Sequence, residues 1–217
     1  FSLTSATVDE ATKTVAIQSG GTMSVVDVRG GKDSVVDLNK EIHIIISSGA
    51  SVTISGCIVT GGTSTMNGGA LSIANASASI VSATFSGNSN GLGGNGGMGG
   101  AINIGGTKAY LYLDSVNIVG NFNKSGDGAG LGIQSGTALL RRVEITGNTA
   151  NYGAKDLYIT SGGKAVVDGG CVIGDTKLAS NSEIVFNGSN SVQKIQAKGA
   201  SPLVGNVTIS SGATLDL

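Results

Sequence analysis

"GGAINIGGTKAYLYLDSVNIVGN", residues 99–121, decides the fold. Three short apolar segments follow one another here, separated by turns that contain glycine. In "KAYLYLD", Ala109, Leu111 and Leu113 share one side of an alternating strand. No 3.6-residue period and no Ala/Leu/Glu/Lys-rich segment points to a helix. One such unit is too thin to bury its own apolar side, so it needs copies to stack on.

The copies run outward in both directions. An apolar residue followed by a short Ser-Gly turn recurs at Ile17, Ile46, Ile73, Ile104, Ile133, Ile159, Phe186 and Ile209, with spacings of 29, 27, 31, 29, 26, 27 and 23 residues. A Gly-Asn step or its variant recurs at Gly61, Gly87, Gly120, Gly147 and Gly174, each after a short apolar strand. A third pattern opens each unit: "GGALSI" at Gly68, "GGAINI" at Gly99, "GAGLGI" at Gly128 and "GAKDLYI" at Gly153. Aligning the units places Ala76, Ala78 and Ile80 with Ala109, Leu111 and Leu113, then Ala138 with Leu140 and Ala165 with Val167. The expected fold is all-β: a single-stranded, right-handed parallel β-helix of seven to eight rungs, each about 27 residues, occupying 1–217 as one domain. At ~4.8 Å per rung the cylinder would be roughly 35 Å long.

Composition agrees with this and narrows the function. The chain has 217 residues, 37 glycines, one proline, no tryptophan and a net charge of −1, with charged residues at only 12%. Near-neutral, scattered charge gives no reason to expect nucleic acid as a partner. No stretch approaches the ~20 apolar residues of a membrane span. His43 is the only histidine and reads as a strand residue in "EIHIIISSG". Cys57 and Cys171 lie about four rungs apart, too far for a disulfide, and are expected as free, buried thiols. No cofactor or metal is expected. "GDGAG" at Gly126 has the look of a calcium nonapeptide, but that architecture repeats every ~18 residues rather than about 27.

Stacking makes ladders of residues that recur once per rung. Asn88, Asn121, Asn148 and Asp175 form the expected structural ladder at a turn, because Asn tolerates left-handed backbone angles and bonds neighbouring main chain. Asp114, Arg141 and Asp168 fall at one position of three successive rungs and read as a surface ion-pair ladder. Tyr110 and Tyr112, with Leu139 and Val166 on the next two rungs, face outward and form the candidate contact patch for a protein or a sugar.

The glycine-rich run "GLGGNGGMGG", residues 91–100, resembles a phosphate loop, yet it leads into a strand rather than a helix N-terminus. The repeat register continues across it, so it is expected to be a rung-connecting turn with about five extra residues.

"GGAL" from Gly68 and "GGAI" from Gly99, with "FSGN" from Phe85, resemble the GGA-[ILV] and FxxN tetrapeptides of chlamydial polymorphic membrane protein repeats. "IVGN" from Ile118 and "ITGN" from Ile145 carry Ile in place of Phe, and the resemblance covers roughly 55–175. It implies a secreted or surface-exposed, adhesin-like β-helical passenger at the cell surface or outside the cell. A host or bacterial surface protein or glycan would be the partner, and the chain would be part of a larger surface protein. Without an amphipathic helix to cap either end, end-to-end self-association is also expected. The competing expectation is a polysaccharide lyase or hydrolase, which needs converging carboxylates. Asp127, Asp156 and Asp175 instead fall on different repeats, so a non-catalytic module leads.

Overall fold

The computed structural model describes residues 2–10, 14–26, 34–39, 42–91, 97–160, 162–197 and 205–216. The chain is all-β, and among these residues there is no helix. Its strands stack in parallel as a β-helix of about six turns with a spacing of about 27 residues. Each coil presents three faces. The first is built from strands such as His43–Ile46, Leu71–Ala74, Ile102–Gly105, Leu131–Ile133 and Leu157–Ile159. The second includes Ser51–Ser55, Ser77–Val81, Tyr110–Asp114, Gly136–Arg141 and Gly163–Asp168. The third includes Cys57–Thr60, Thr84–Ser86, Asn117–Val119 and Glu144–Thr146. A small separate sheet of two-residue strands, from Thr63–Ser64 to Thr149–Ala150, lines the corner after the third face.

The isoleucine marker is one vertical column. Ile17, Ile46, Ile73, Ile104, Ile133 and Ile159 pair in register, and each is essentially without solvent exposure. On the second face Ile80, Leu113, Leu140 and Val167 make a similar column, beside Ala78, Leu111, Ala138 and Ala165. Each fully buried aliphatic side chain contributes roughly 1.5–3 kcal/mol, and here it does so against its own counterparts above and below.

The column ends earlier than the marker spacing implies. Ile159 pairs with Leu178, whereas Phe186 and Ile209 stand on the second face beneath Val167. Beyond Leu157 the offset between paired residues falls to 19, as in Leu157 with Thr176 and Thr176 with Ile195. The cause is one strand, Val172–Leu178, which runs straight on where earlier coils turn. Its start pairs with the third face, through Ile145, and its end with the first, through Ile159. The later coils therefore lack the short corner strand. The seven to eight rungs of even length expected above become about six of that length.

The double glycine of "GGAI" has two separate causes. Gly99 sits at φ 70°, a left-handed angle that an L side chain adopts at a cost. Gly100 has no such angle, but a β-carbon there would lie 2.3 Å from the carbonyl oxygen of Ala129 and 2.5 Å from that of Phe122. One glycine makes the turn and the other lets two coils touch. From the run 91–100, residues 92–96 lie outside the described residues. Met98 closes the turn, its N–H donating to Asn67 Oδ1 at 2.8 Å, and packs with Tyr158 and Ala179 on the outside of the first face.

Ser2–Asp9 pairs antiparallel with Thr14–Val26, alongside the first coil. In the last coil Val207 and Ile209 are exposed, although they are in register with the fully buried Ile184 and Phe186. Neither cysteine is in a disulfide, both are buried, and burial pushes the Cys171 thiol up.

Burial lowers the pKa of His43. The unfolded chain therefore binds a proton at His43 more readily than the folded chain does. This residue's contribution to stability is full above about pH 6.5 and is lost as the pH falls below it. The expected result is a urea midpoint that drops between about pH 7 and about pH 5.5, with a smaller drop in His43→Gln. Equal drops in both proteins would mean that His43 is not the group responsible.

Candidate functional site

The outward side of the second face carries the tyrosines. Tyr112, Leu139, Val166 and Val185 pair in register as one external column, and all are half-buried because each shields the next. Tyr110 belongs to the neighbouring external column, with Ser77 above it and Thr137, Lys164 and Glu183 below. It is 42% exposed, so the four-residue patch narrows to one free aromatic ring beside a shielded apolar stripe. Lys164 and Glu183 pair at 3.0 Å. The Tyr112 hydroxyl donates to Asp114 Oδ2 at 3.1 Å, which ties that ring to the fold.

The acid–base column is built differently from the expectation. Asp114 and Arg141 are register partners, but the ion pair to Asp114 comes from Arg142, at 2.5 Å from Nη2 to Oδ1. Arg142 sits at φ 50°, in a corner whose equivalents Ser82 and Ser115 are also left-handed, and the kink turns its side chain back toward Asp114. Asp114 also accepts from Ser115 Oγ, and it is buried rather than at the surface. Arg141 and Asp168 are exposed. Arg142→Ala is therefore expected to cost about 0.5–1 kcal/mol in urea unfolding, and Arg141→Ala less than about 0.5 kcal/mol. The opposite order would restore the expected ladder.

The asparagine ladder is present but ends on a different acid. Asn121 Oδ1 accepts from both Asn88 N and Asn88 Nδ2 at 3.0 Å, and Asn148 Oδ1 accepts from the same two groups of Asn121 at 3.0 and 2.9 Å. Each side-chain amide also donates to main-chain carbonyls, in Asn121's case those of Phe85 and Val119. The ladder's foot is Asp156, 4% exposed, whose Oδ1 accepts from Asn148 N at 3.0 Å and Asn148 Nδ2 at 2.8 Å. Asp175, expected in that place, lies in the straight strand Val172–Leu178, and its N–H donates to Asp156 Oδ2 at 2.8 Å. Asn90 and Asn123 form a second buried column two residues on.

At the corner between the first and second faces the coils differ in length. Between the inward Ile and the inward Ala there are three residues in Ile46–Ala50, two in Ile73–Ala76 and four in Ile104–Ala109. The short corner lies recessed between two longer ones, which leaves an open groove of about 640 Å³. Among the described residues its lining includes Ser48, Ser51, Asn75, Ser77, Thr107 and Lys108, and no carboxylate. Asn75, at φ 50°, accepts from Lys108 N through Oδ1 at 3.3 Å.

Comparison with protein families, curated proteins and solved structures finds no match to this chain. The likeness to chlamydial repeats thus rests on the tetrapeptides alone. Two further acids have structural partners. Asp127 pairs with Lys177 at 2.9 Å and accepts from Ala154 N, and Glu144 accepts from Thr146 Oγ1. Among the described residues no group of three or more His, Cys, Asp or Glu side chains could hold a metal ion, and no helix is long and apolar enough to cross a membrane.

Two features went unseen in the sequence. Asp156 was signalled by length: "GAKDL" has one residue more between Gly and Leu than "GAGL", and the extra position points an acid inward. The groove was signalled by unequal corner lengths.

Proposed function

We propose that the chain is a non-catalytic β-helical module, adhesin-like or structural, displayed at the cell surface or outside the cell, with a surface protein or glycan as its partner. The observation that carries this reading is the placement of the carboxylates. Asp114, Asp127, Asp156 and Glu183 tie coil to coil through arginine, lysine or amide partners, and Glu144 is engaged by Thr146 Oγ1 of its own strand. Glycoside hydrolysis needs two carboxyl groups set about 5–10 Å apart across a sugar, whereas among the described residues the groove at the first corner has none in its lining. The tetrapeptide resemblance supports the surface setting.

The test is incubation of the full chain with pectin and other acidic polysaccharides. No new reducing ends and no unsaturated products are expected, and turnover would replace this reading with a polysaccharide-active enzyme. In parallel, binding to cells or a glycan array should fall in Tyr110→Ala. That variant is preferable to Tyr112→Ala, which would also remove a hydroxyl from Asp114.

A further inference from the structure

The geometry points to the corner groove as a binding site for an acidic saccharide, a sugar chain bearing carboxylate groups. This inference rests on the non-catalytic reading above and names a ligand class for it. Three observations converge. First, the lining is made of groups that bond sugar hydroxyls: the hydroxyls of Ser48, Ser51, Ser77 and Thr107 and the side-chain amide of Asn75. The amide is held in place. Its Oδ1 accepts from Lys108 N, and Gly106 passes so close that a β-carbon there would lie 2.3 Å from Oδ1 and 2.6 Å from Nδ2.

Second, among the described residues the only charged side chain in the lining is that of Lys108, which is exposed. A lone ammonium beside hydroxyls selects an acid over its neutral counterpart. An exposed pair of this kind changes affinity only several-fold. Third, Tyr110 pairs in register with Ser77, itself part of the lining. Its ring therefore rises about 4.8 Å along the sheet from the groove wall. An exposed ring at that place offers a flat apolar surface for the C–H face of one sugar, while the next sugar reaches the amide and the ammonium. Aromatic anchors of this kind commonly dominate binding.

The experiment is amide chemical-shift mapping of the isotope-labelled full chain titrated with tri-galacturonate, with galactotriose as the neutral counterpart. Tri-galacturonate should shift the amides of Ser48, Ser51, Asn75, Ser77, Lys108 and Tyr110, and should bind about threefold more tightly than galactotriose. Lys108→Gln should erase that difference. Tyr110→Ala should weaken both ligands about tenfold. Asn75→Gly should weaken both as well, because glycine keeps the left-handed corner and removes only the amide. Raising salt from about 50 to about 300 mM should weaken the acid alone. Shifts that fail to localise to the groove at about 10 mM ligand, or that survive all three variants, overturn the proposal. New reducing ends or unsaturated product in the same samples would instead overturn the non-catalytic reading and leave the groove standing.

Discussion

Gly100→Ala is expected to prevent the chain from folding, or to destabilise it by at least about 3 kcal/mol. The added β-carbon would sit 2.3 Å from the Ala129 oxygen and 2.5 Å from the Phe122 oxygen. Both are main-chain atoms, the first in the next coil and the second at the far end of the same coil, and the two coils are held together here by the ladder bonds Gly100 N to Gly128 O and Ala101 N to Ala129 O. Neither can rotate away as the end of a side chain could. Relief requires the coils to separate locally, which breaks hydrogen bonds on both sides of the corner. Gly120→Ala is the control. It has a left-handed φ of 65° but nothing within 4 Å of the new carbon. It should cost only about 1–2 kcal/mol, the strain of the angle itself. Urea unfolding followed by circular dichroism separates the two. Equal costs would mean that the close approach at Gly100 is relieved cheaply and is not what selects glycine there.

The same contrast explains what could be read from the sequence. The isoleucine column was legible through Ile159 because a residue facing inward once per turn must stay apolar, and its turn must stay tight. The marker then misled at Phe186 and Ile209. Both corners of the second face need a left-handed residue: Gly49 and Asn75 before it, Gly56, Ser82 and Gly188 after it. The same Gly/Ser/Asn chemistry thus marks two different corners, and an apolar residue with a glycine behind it fits either. Gly174-Asp175 misled similarly, because its dipeptide matches the Gly-Asn steps while the chain there continues as strand. Counting did identify Arg141 as the register partner of Asp114. It could not show that Arg142 would adopt φ 50° and reach back. The groove was illegible for another reason: it belongs to no single repeat and exists only in the difference between three corners.

These details bear on how such a surface could work. Asn88, Asn121 and Asn148 bond both side chain and main chain from coil to coil, so the stack is tied at its corners as well as along its sheets. Parallel faces tied in this way hold outward side chains at fixed spacing. Tyr110, Ser77 and Lys108 therefore need no rearrangement to meet an extended ligand, which limits the ordering cost of binding. The cost of that rigidity is dependence on buried polar groups, which are expensive to leave unpaired, as Asn90 Oδ1 and Asn103 Oδ1 are.

Asp156 is where that dependence is sharpest. Asp156→Ala is expected to destabilise the chain by about 3–5 kcal/mol, because it strips an acceptor from two buried donors, Asn148 N and Asn148 Nδ2, and from the part-buried Asp175 N. In a fold of this size that lowers the melting temperature by about 10 °C. Asp156→Asn keeps the shape and one acceptor oxygen but turns an NH2 toward a donor, so it should cost roughly 1–2 kcal/mol. The damage should also be local in a way that Gly100→Ala is not. Repeats contact only their neighbours, so losing the ladder's foot loosens the coils from Asn148 onward, while those before Asn121 keep their own bonds. Hydrogen exchange resolves this. In Asp156→Ala the amides of Asn148 and Asp175 should exchange far faster, and those of Ile73 and Ile104 should stay protected. Unchanged exchange at Asn148 and Asp175 would show that the carboxylate is not what closes the ladder.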